Sequence, residues 1–590
     1  MIQRFFLMFL IVVGTQLLVH IGFFKQASAQ FKRYTSVRRS ELFPKKSATK
    51  PHPDRALDTI HYKKSSPFFA AHFTKGLEHD PITGLLTLNG QKNYKSLLKA
   101  LSTGKRADFS AITYKGSQTF INPQGAFLPL LGSTDISAFK IPSFPQLSTP
   151  EAAALLLELY AMALCRDISF HEYGSGKGPD ANGKGGSVTT DVATYLQALG
   201  ELYTGPRNDQ GVVDASVLFK WVPSGSLKGP YISQFLLLPL NTILYSTFPS
   251  GLHLSSLPKD PFIMQDQKRP IMCPYRDFAV SFEDFIALQN GEIPVPYSRL
   301  DYDPTAKRYI STGRDLASCV HFDHPYEPFY NALTILAELG FPSKKENFYS
   351  LSWALVAGVS VEALKASWVQ KWRVSQVLRP EAFAGLVHIA VTQGVNPCNL
   401  HSSFFVPHAG IDLLDLTKHY NRRQGAATYL LSQTYPEGSS LHPSYPQAHA
   451  TIAGACITVI KAFFDNEVKI AAHVVPVKPD PCDATKLISL KNEGEKDMTV
   501  ASELDKLACN IGAGRNFAGI HYRADLEQGL RLGEKVALTY LQQQIALQCG
   551  PDFKGFILTT FDGVKVCVTS DTVKPVIRTH TDTPKTKSNS

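Results

Sequence analysis

His442-Pro443-Ser444-Tyr445-Pro446-Gln447-Ala448-His449 is followed, after Ala450, by the apolar run Thr451-Ile452-Ala453-Gly454-Ala455-Cys456-Ile457-Thr458-Val459-Ile460-Lys461-Ala462-Phe463-Phe464. The two prolines keep the first segment out of a helix, because proline lacks an N–H and its ring clashes with the preceding turn. The run behind them predicts a helix that starts close to His449. It is apolar nearly all round, so it belongs in a core. Its first turn offers unpaired backbone N–H groups and the positive end of the helix dipole, which suit an anion. Two histidines flank that turn, and the question becomes which other residues join them.

Working outward, Thr149-Pro150-Glu151 is a helix start with proline at the first helical position. The helix behind it, from Ala152 to about Arg166, is apolar nearly all round and therefore buried. Further helices are expected near 187–202, 231–247, 279–290 and 312–340, then 346–378, 381–394, 424–434, 448–466, 498–511 and 521–547. Residues 66–150, rich in Gly, Pro and Phe, read as irregular structure with short strands. The glycine-rich stretch 170–186 reads as a loop: no strand precedes it and the GxGxxG spacing is missing. Gly555–Cys567 alternates in apolar character around Asp562-Gly563, a hairpin signal, and Thr579–Ser590 is a polar tail expected to be disordered. Helices dominate, so the class is mainly α, built from helical bundles with short β-hairpins and an irregular N-terminal region. The expected division is 1–29 export segment, 30–148 irregular arm, 149–345 first bundle, 346–550 second bundle with the anion site, and 551–590 hairpin and tail.

The 590-residue chain has a net charge of +10 but no long Lys/Arg run. With no recognition motif beside it, that charge does not argue for nucleic acid. Arg4, the apolar stretch 5–24 and Ala27-Ser28-Ala29 read as an export signal, with an uncleaved anchor at 5–24 as the rival reading. Either places the body outside the cytoplasm, secreted or periplasmic, and no later stretch suits a bilayer. The nine cysteines form no CxxC pair, which argues against zinc; export would permit one or two disulfides.

Two more clusters could join the opening turn around an oxyanion. In Lys371-Trp372-Arg373-Val374-Ser375-Gln376-Val377-Leu378-Arg379-Pro380, the proline biases Arg379 out of the helix, so Lys371 and Arg379 could grip an anion from two sides. In Gly512-Ala513-Gly514-Arg515-Asn516-Phe517-Ala518-Gly519-Ile520-His521-Tyr522-Arg523-Ala524-Asp525, Gly519 lets the chain turn between Arg515 and His521. Asp525 then lies one helical turn past His521, within reach of its ring.

Taken in order, Lys-x7-Arg-Pro, His-Pro-Ser-Tyr-Pro-x-x-His and Arg-x5-His-x3-Asp resemble the signature of the vanadium-dependent haloperoxidases and the related type-2 phosphatidic acid phosphatases. Glu158-Leu159-Tyr160 to Asp167, Gly229 to Phe235, Gly313 to Ser318, Trp368 to Glu381 and Pro436-Glu437-Gly438-Ser439 look like the bromoperoxidases of red algae and cyanobacteria, over roughly residues 60–570. The resemblance implies two four-helix bundles and a vanadate cofactor. It implies that Lys371, Arg379 and Arg515 hold the oxyanion, that His521 is the metal ligand and that His449 is the acid–base residue. His442 would line the halide side, leaning toward bromide or iodide over chloride. Asp525 would support His521, and Asp323 would support an arginine. Lys371 would also polarise peroxide, so it counts as catalytic with His449 and His442. Hydrogen peroxide, halide and an organic acceptor are the implied partners, and a homo-oligomer from dimer to dodecamer is the implied assembly.

The chain departs from the family at Gln447-Ala448, where most relatives carry Ser-Gly or Ala-Gly. Gln447 could donate through its amide, and Ala448 keeps an N–H, but Ala448 adopts positive φ only at a cost. Weaker vanadate binding or altered activity, with the fold kept, is the expectation. Two alternatives stay open: an acid phosphatase using the same cage, with His521 as nucleophile, and a relative that keeps the fold without peroxidase activity.

Overall fold

The computed structural model describes residues 70–128, 139–174, 187–221, 229–241, 264–265, 267–295, 301–343, 349–490, 497–549 and 552–576. The export signal, residues 30–69 at the start of the expected arm, residues 175–186 of the glycine-rich loop and the tail Thr579–Ser590 lie outside these residues.

Helix α1, Leu88–Thr103, stands where irregular structure was expected. Thr87 caps it by accepting from the Gly90 N–H, and Gly104 ends it at φ 67°. Helix α2, Pro150–Cys165, begins at the Thr149 cap as read, and it is buried from Ala152 to Cys165. Then come α3, Val188–Ala198, and α4, Phe282–Gln289. Of the helix expected at 231–247, only a 3₁₀ turn at Gln234–Leu236 and a two-residue strand, Leu240–Asn241, are described. Pro239 removes the N–H that a helix would need there.

The single helix expected over 312–340 is two: α5, Gly313–Phe322, and α6, Glu327–Glu338. Pro325 disfavours helical backbone at His324, and Asp323 is already extended at φ −72°, ψ 153°. Helix α7, Tyr349–Trp368, runs into a π-helical turn, Val369–Ser375, which closes with Gln376 at φ 52°. Helix α8, Pro380–Gln393, follows. The helix expected at 424–434 lies earlier, as α9, Leu413–Arg423. Gly425, at φ 112°, turns the chain out of it, and Gln433 then pairs with Phe278 through two backbone hydrogen bonds.

The last three helices are α10, Ala448–Phe463; α11, Val500–Phe517; and α12, Arg523–Gln548. Beyond them the expected hairpin pairs Phe556–Thr559 with Lys565–Val568, and Val573–Pro575 adds a third strand. The other sheets described are two-stranded. No described helix is long and apolar enough to cross a membrane.

Helix α10 packs against α7, α11 and α12, and α5 packs against α11. Glycines set the closest approach. A Cβ at Gly454 would lie 2.2 Å from Leu530 O, and one at Gly533 would lie 2.0 Å from Thr451 O. At Gly529 it would meet Gln447 O at 2.9 Å. Helices α10 and α12 thus touch backbone to backbone, which brings the first turn of α10 against the start of α12.

Candidate functional site

Two of the three cationic residues are delivered by a break in regular structure, and the third by a helix. Lys371 lies in the π-helical turn, a helix defect that frequently marks functional positions. Arg379 is the extended residue before α8, at φ −79°, ψ 155°, as Pro380 demands. Arg515 sits inside α11, which runs on through Gly512 and Gly514 because those glycines let α12 and α5 approach. Gly519, at φ 82°, then reverses the chain so that His521 faces back.

Lys371 and Arg379 meet the turn before α10, in which the Tyr445–Pro446 peptide bond is cis, while Arg515 donates to Val320 O of α5 at 3.1 Å. The Lys371 ammonium donates to Pro443 O at 2.7 Å and Ser444 O at 2.6 Å. Arg379 donates to His442 O at 2.8 Å and Ile520 O at 2.9 Å. Its Nη1 lies 2.8 Å from His521 Nε2, and its Nη2 lies 2.9 Å from His442 Nδ1. Guanidinium nitrogens always donate, so His521 Nε2 is an acceptor and carries no proton. The proton sits on Nδ1, 2.7 Å from Asp525 Oδ2. The same carboxylate oxygen accepts from Ser444 Oγ and from the Tyr522 N–H.

Lys371, Arg379, Ser444, His521 and Asp525 are almost fully buried. Burial, then Arg379 and Arg515, drives the Lys371 ammonium well below its usual range. Arg379 is brought down to about 9, by burial first and with Arg515 adding to it. Burial and the cations push His442 and His521 well below the ordinary imidazole value. Asp525 is raised to about 6 by burial, against the hydrogen bond from Ser444 and the charge of Lys371.

His449 opens α10 and keeps 20% of its side chain exposed. Its Nε2 stands 3.5 Å from Asp323 Oδ1. Asp323 was expected to support an arginine; the extended break after α5 aims it at His449 instead. Burial and Arg515 lower the His449 pKa, while Asp323 opposes them. Gln447 departs from expectation too. Its amide donates to Gly512 O of α11 at 3.1 Å. Ala448 is the first residue of α10 and is not among the positive-φ positions, so alanine costs nothing in conformation there.

The sequence of a vanadium-dependent bromoperoxidase from Corallina pilulifera is 32% identical over 85% of this chain and 91% of its own length. This chain belongs to the vanadium-dependent bromoperoxidases. A Corallina officinalis bromoperoxidase matches at 31% over 85% of this chain and 92% of its own. A family model described as the VCPO second helical-bundle domain matches residues 421–547, which span α10, α11 and α12. The solved homohexameric vanadate-dependent bromoperoxidase of Ascophyllum nodosum shares the fold, with a TM-score of 0.73 at 24% identity over 92% of this chain and 90% of that one. Haloperoxidase activity and a vanadate cofactor go with that membership.

The donor set of this bromoperoxidase fits vanadate. Arg379 donates to the bare Nε2 of His521, Lys371 and Arg515 lie near enough for their charges to depress that imidazole, and Arg515 Nε is buried with no hydrogen-bond partner among the described residues. An oxyanion would satisfy that donor and offset the crowding that depresses Lys371 and Arg379. Ser444 was missed as a functional residue. It lies inside the motif that organised the sequence reading, but nothing in spacing alone aims its hydroxyl at Asp525. Trp368, whose ring meets His442 edge-on at 5.1 Å between centroids, was missed for the same reason.

Proposed function

We propose that this bromoperoxidase oxidises bromide or iodide, in preference to chloride, with hydrogen peroxide to hypohalous acid, which escapes or halogenates an organic acceptor. The observation that carries the reading is an unprotonated His521 Nε2 held by Arg379, with buried Lys371 and Arg515 near enough for their charges to act on the same imidazole. Bound vanadate supplies a Lewis-acid centre at which peroxide becomes susceptible to halide attack. Lys371, Arg379 and Arg515 hold the oxyanion by charge, and His521 offers its Nε2 lone pair. Asp525 keeps the His521 proton on Nδ1. Neutral His449 accepts the proton that peroxide gives up, and Asp323 beside Nε2 stabilises the imidazolium that results. Lys371 polarises peroxide, and His442 with Trp368 lines the halide side.

Export, homo-oligomerisation and the division into two bundles at 149–345 and 346–550 belong to the same proposal. The homohexameric relative supports the assembly. The test is bromination with and without added vanadate, beside vanadium analysis of the wild type and His521→Ala after vanadate exchange. Vanadate-dependent bromination with metal lost only in the variant is the expected result. Equal vanadium in both would overturn the ligand assignment. Phosphate-ester hydrolysis that vanadate inhibits, without bromination, would favour a phosphatase.

A further inference from the structure

Ser444 is fully buried in the turn between His442 and His449, and each of its polar groups is committed. Its N–H donates to Val377 O at 2.9 Å, which ties the turn to the segment leading into Arg379. Its carbonyl accepts from the Lys371 ammonium at 2.6 Å. Its hydroxyl donates to Asp525 Oδ2 at 2.5 Å, beside the His521 Nδ1 bond to the same atom. The other oxygen, Asp525 Oδ1, is buried without a hydrogen-bond partner among the described residues. All the hydrogen bonds of that carboxylate therefore gather on one oxygen, and Ser444 supplies the only hydroxyl among them.

We propose that Ser444 is a positioning residue that holds the Asp525 carboxylate so that His521 keeps its proton on Nδ1 and presents a bare Nε2 to the oxyanion. Through its carbonyl it also keeps the Lys371 ammonium in register with that imidazole. The inference rests on the reading of His521 as the vanadate ligand. The physical reason lies in the carboxylate's freedom to rotate about Cβ–Cγ. Without the hydroxyl, two bonds remain on Oδ2 while Oδ1 lies bare beside it. With one of three restraints gone, the group is freer to swing and loosen its grip on Nδ1–H.

The experiment compares wild type, Ser444→Ala and Ser444→Thr, with His521→Ala as control. Vanadate affinity is measured by equilibrium dialysis and vanadium analysis. The His521 tautomer is read from imidazole nitrogen NMR shifts of histidine-labelled protein, assigned by the control. Thermal melting verifies the fold. Ser444→Ala is expected to weaken vanadate binding about tenfold to hundredfold and to add the Nε2–H tautomer at His521. Ser444→Thr, which keeps the hydroxyl, is expected to retain the wild-type tautomer even where its extra methyl lowers the melting temperature. A folded Ser444→Ala with an unchanged tautomer overturns the proposal, whatever its vanadate affinity. A wild type that holds as much vanadate as His521→Ala overturns the reading of the site instead, so the two failures are distinguishable.

Discussion

Replacing Arg379 separates what its charge contributes from what its shape contributes. The guanidinium spans Ile520 O, His442 O and both imidazoles, with four contacts between 2.8 and 2.9 Å. Two opposite charges about 4 Å apart at an effective dielectric near 20 attract by about 4 kcal/mol. Part of that is returned, because removing Arg379 relieves Lys371, which Arg379 depresses. A net loss of about 3 kcal/mol corresponds to roughly a hundredfold in affinity. Arg379→Met should therefore bind vanadate about a hundredfold more weakly. Arg379→Lys keeps the charge but offers one compact ammonium in place of the fork, so about tenfold is expected. Met also leaves two buried carbonyls without their donor, at about 1–3 kcal/mol each, so its melting temperature should fall further than that of Lys. Equilibrium dialysis with vanadium analysis, and thermal melting without added vanadate, measure the two effects. A folded Arg379→Met that binds vanadate within threefold of the wild type would refute the assignment of Arg379 to the cage.

Neutral His449 as the base predicts a bromination rate that stays level as pH falls past 6.5 and drops only in more acid solution, because burial and Arg515 lower its pKa. Asp323→Asn removes the group that raises this pKa, so the acid limb should move to lower pH; an unmoved limb would dissociate Asp323 from His449. His449→Ala should lower kcat about a hundredfold or more while vanadium stays bound. Far from the site, buried His79 donates from Nδ1 to Leu77 O and accepts at Nε2 from Thr74, and burial lowers its pKa from 6.5 to about 4. A depressed histidine pKa means that the unfolded chain binds the proton more readily. Stability is therefore full above pH 6.5 and is lost as pH falls toward 4, by about 2 kcal/mol at pH 5. Denaturant titration at pH 7 and pH 5 should show that loss in the wild type and a smaller one in His79→Gln; equal losses would exonerate His79. Gly533→Ala places a Cβ 2.0 Å from Thr451 O, so thermal melting should report a loss of about 3 kcal/mol, with weaker vanadate binding as α10 shifts on α12.

Much of the site was legible because its chemistry is written in residue types that spacing alone can group. Three cations, two flanking histidines and a His-x3-Asp pair each carry a charge or a lone pair, and prolines and a glycine mark where the chain must turn. Pro380 at the first position of α8 and Gly519 after α11 behave as their dihedral limits require. Less legible were the elements whose signals are weak or contradictory. Residues 424–434 hold the short apolar run Tyr429-Leu430-Leu431, whose length does not by itself separate helix from strand, and they run without helix because Gln433 pairs with Phe278, far away in sequence. Leu88–Thr103 forms a helix inside a stretch whose overall Gly, Pro and Phe content suggested none, since its cap and amphipathic face are local to it.

By itself the sequence determined which groups were available: a mainly helical chain, an α10 that is apolar nearly all round, and the cations and imidazoles suited to an oxyanion. Tertiary structure alone decided their partners. It turned Gln447 toward Gly512, set Asp323 beside His449 instead of an arginine, and joined Ser444 to Asp525 across two elements. The physical reason is that a side chain's residue type limits which bonds it can make, whereas the bond it does make depends on which backbone lies within about 3 Å. For Ser444 and Asp525 the approach of the two elements is helped by glycines at the α10–α12 contact, whose missing Cβ atoms bring the two helices together.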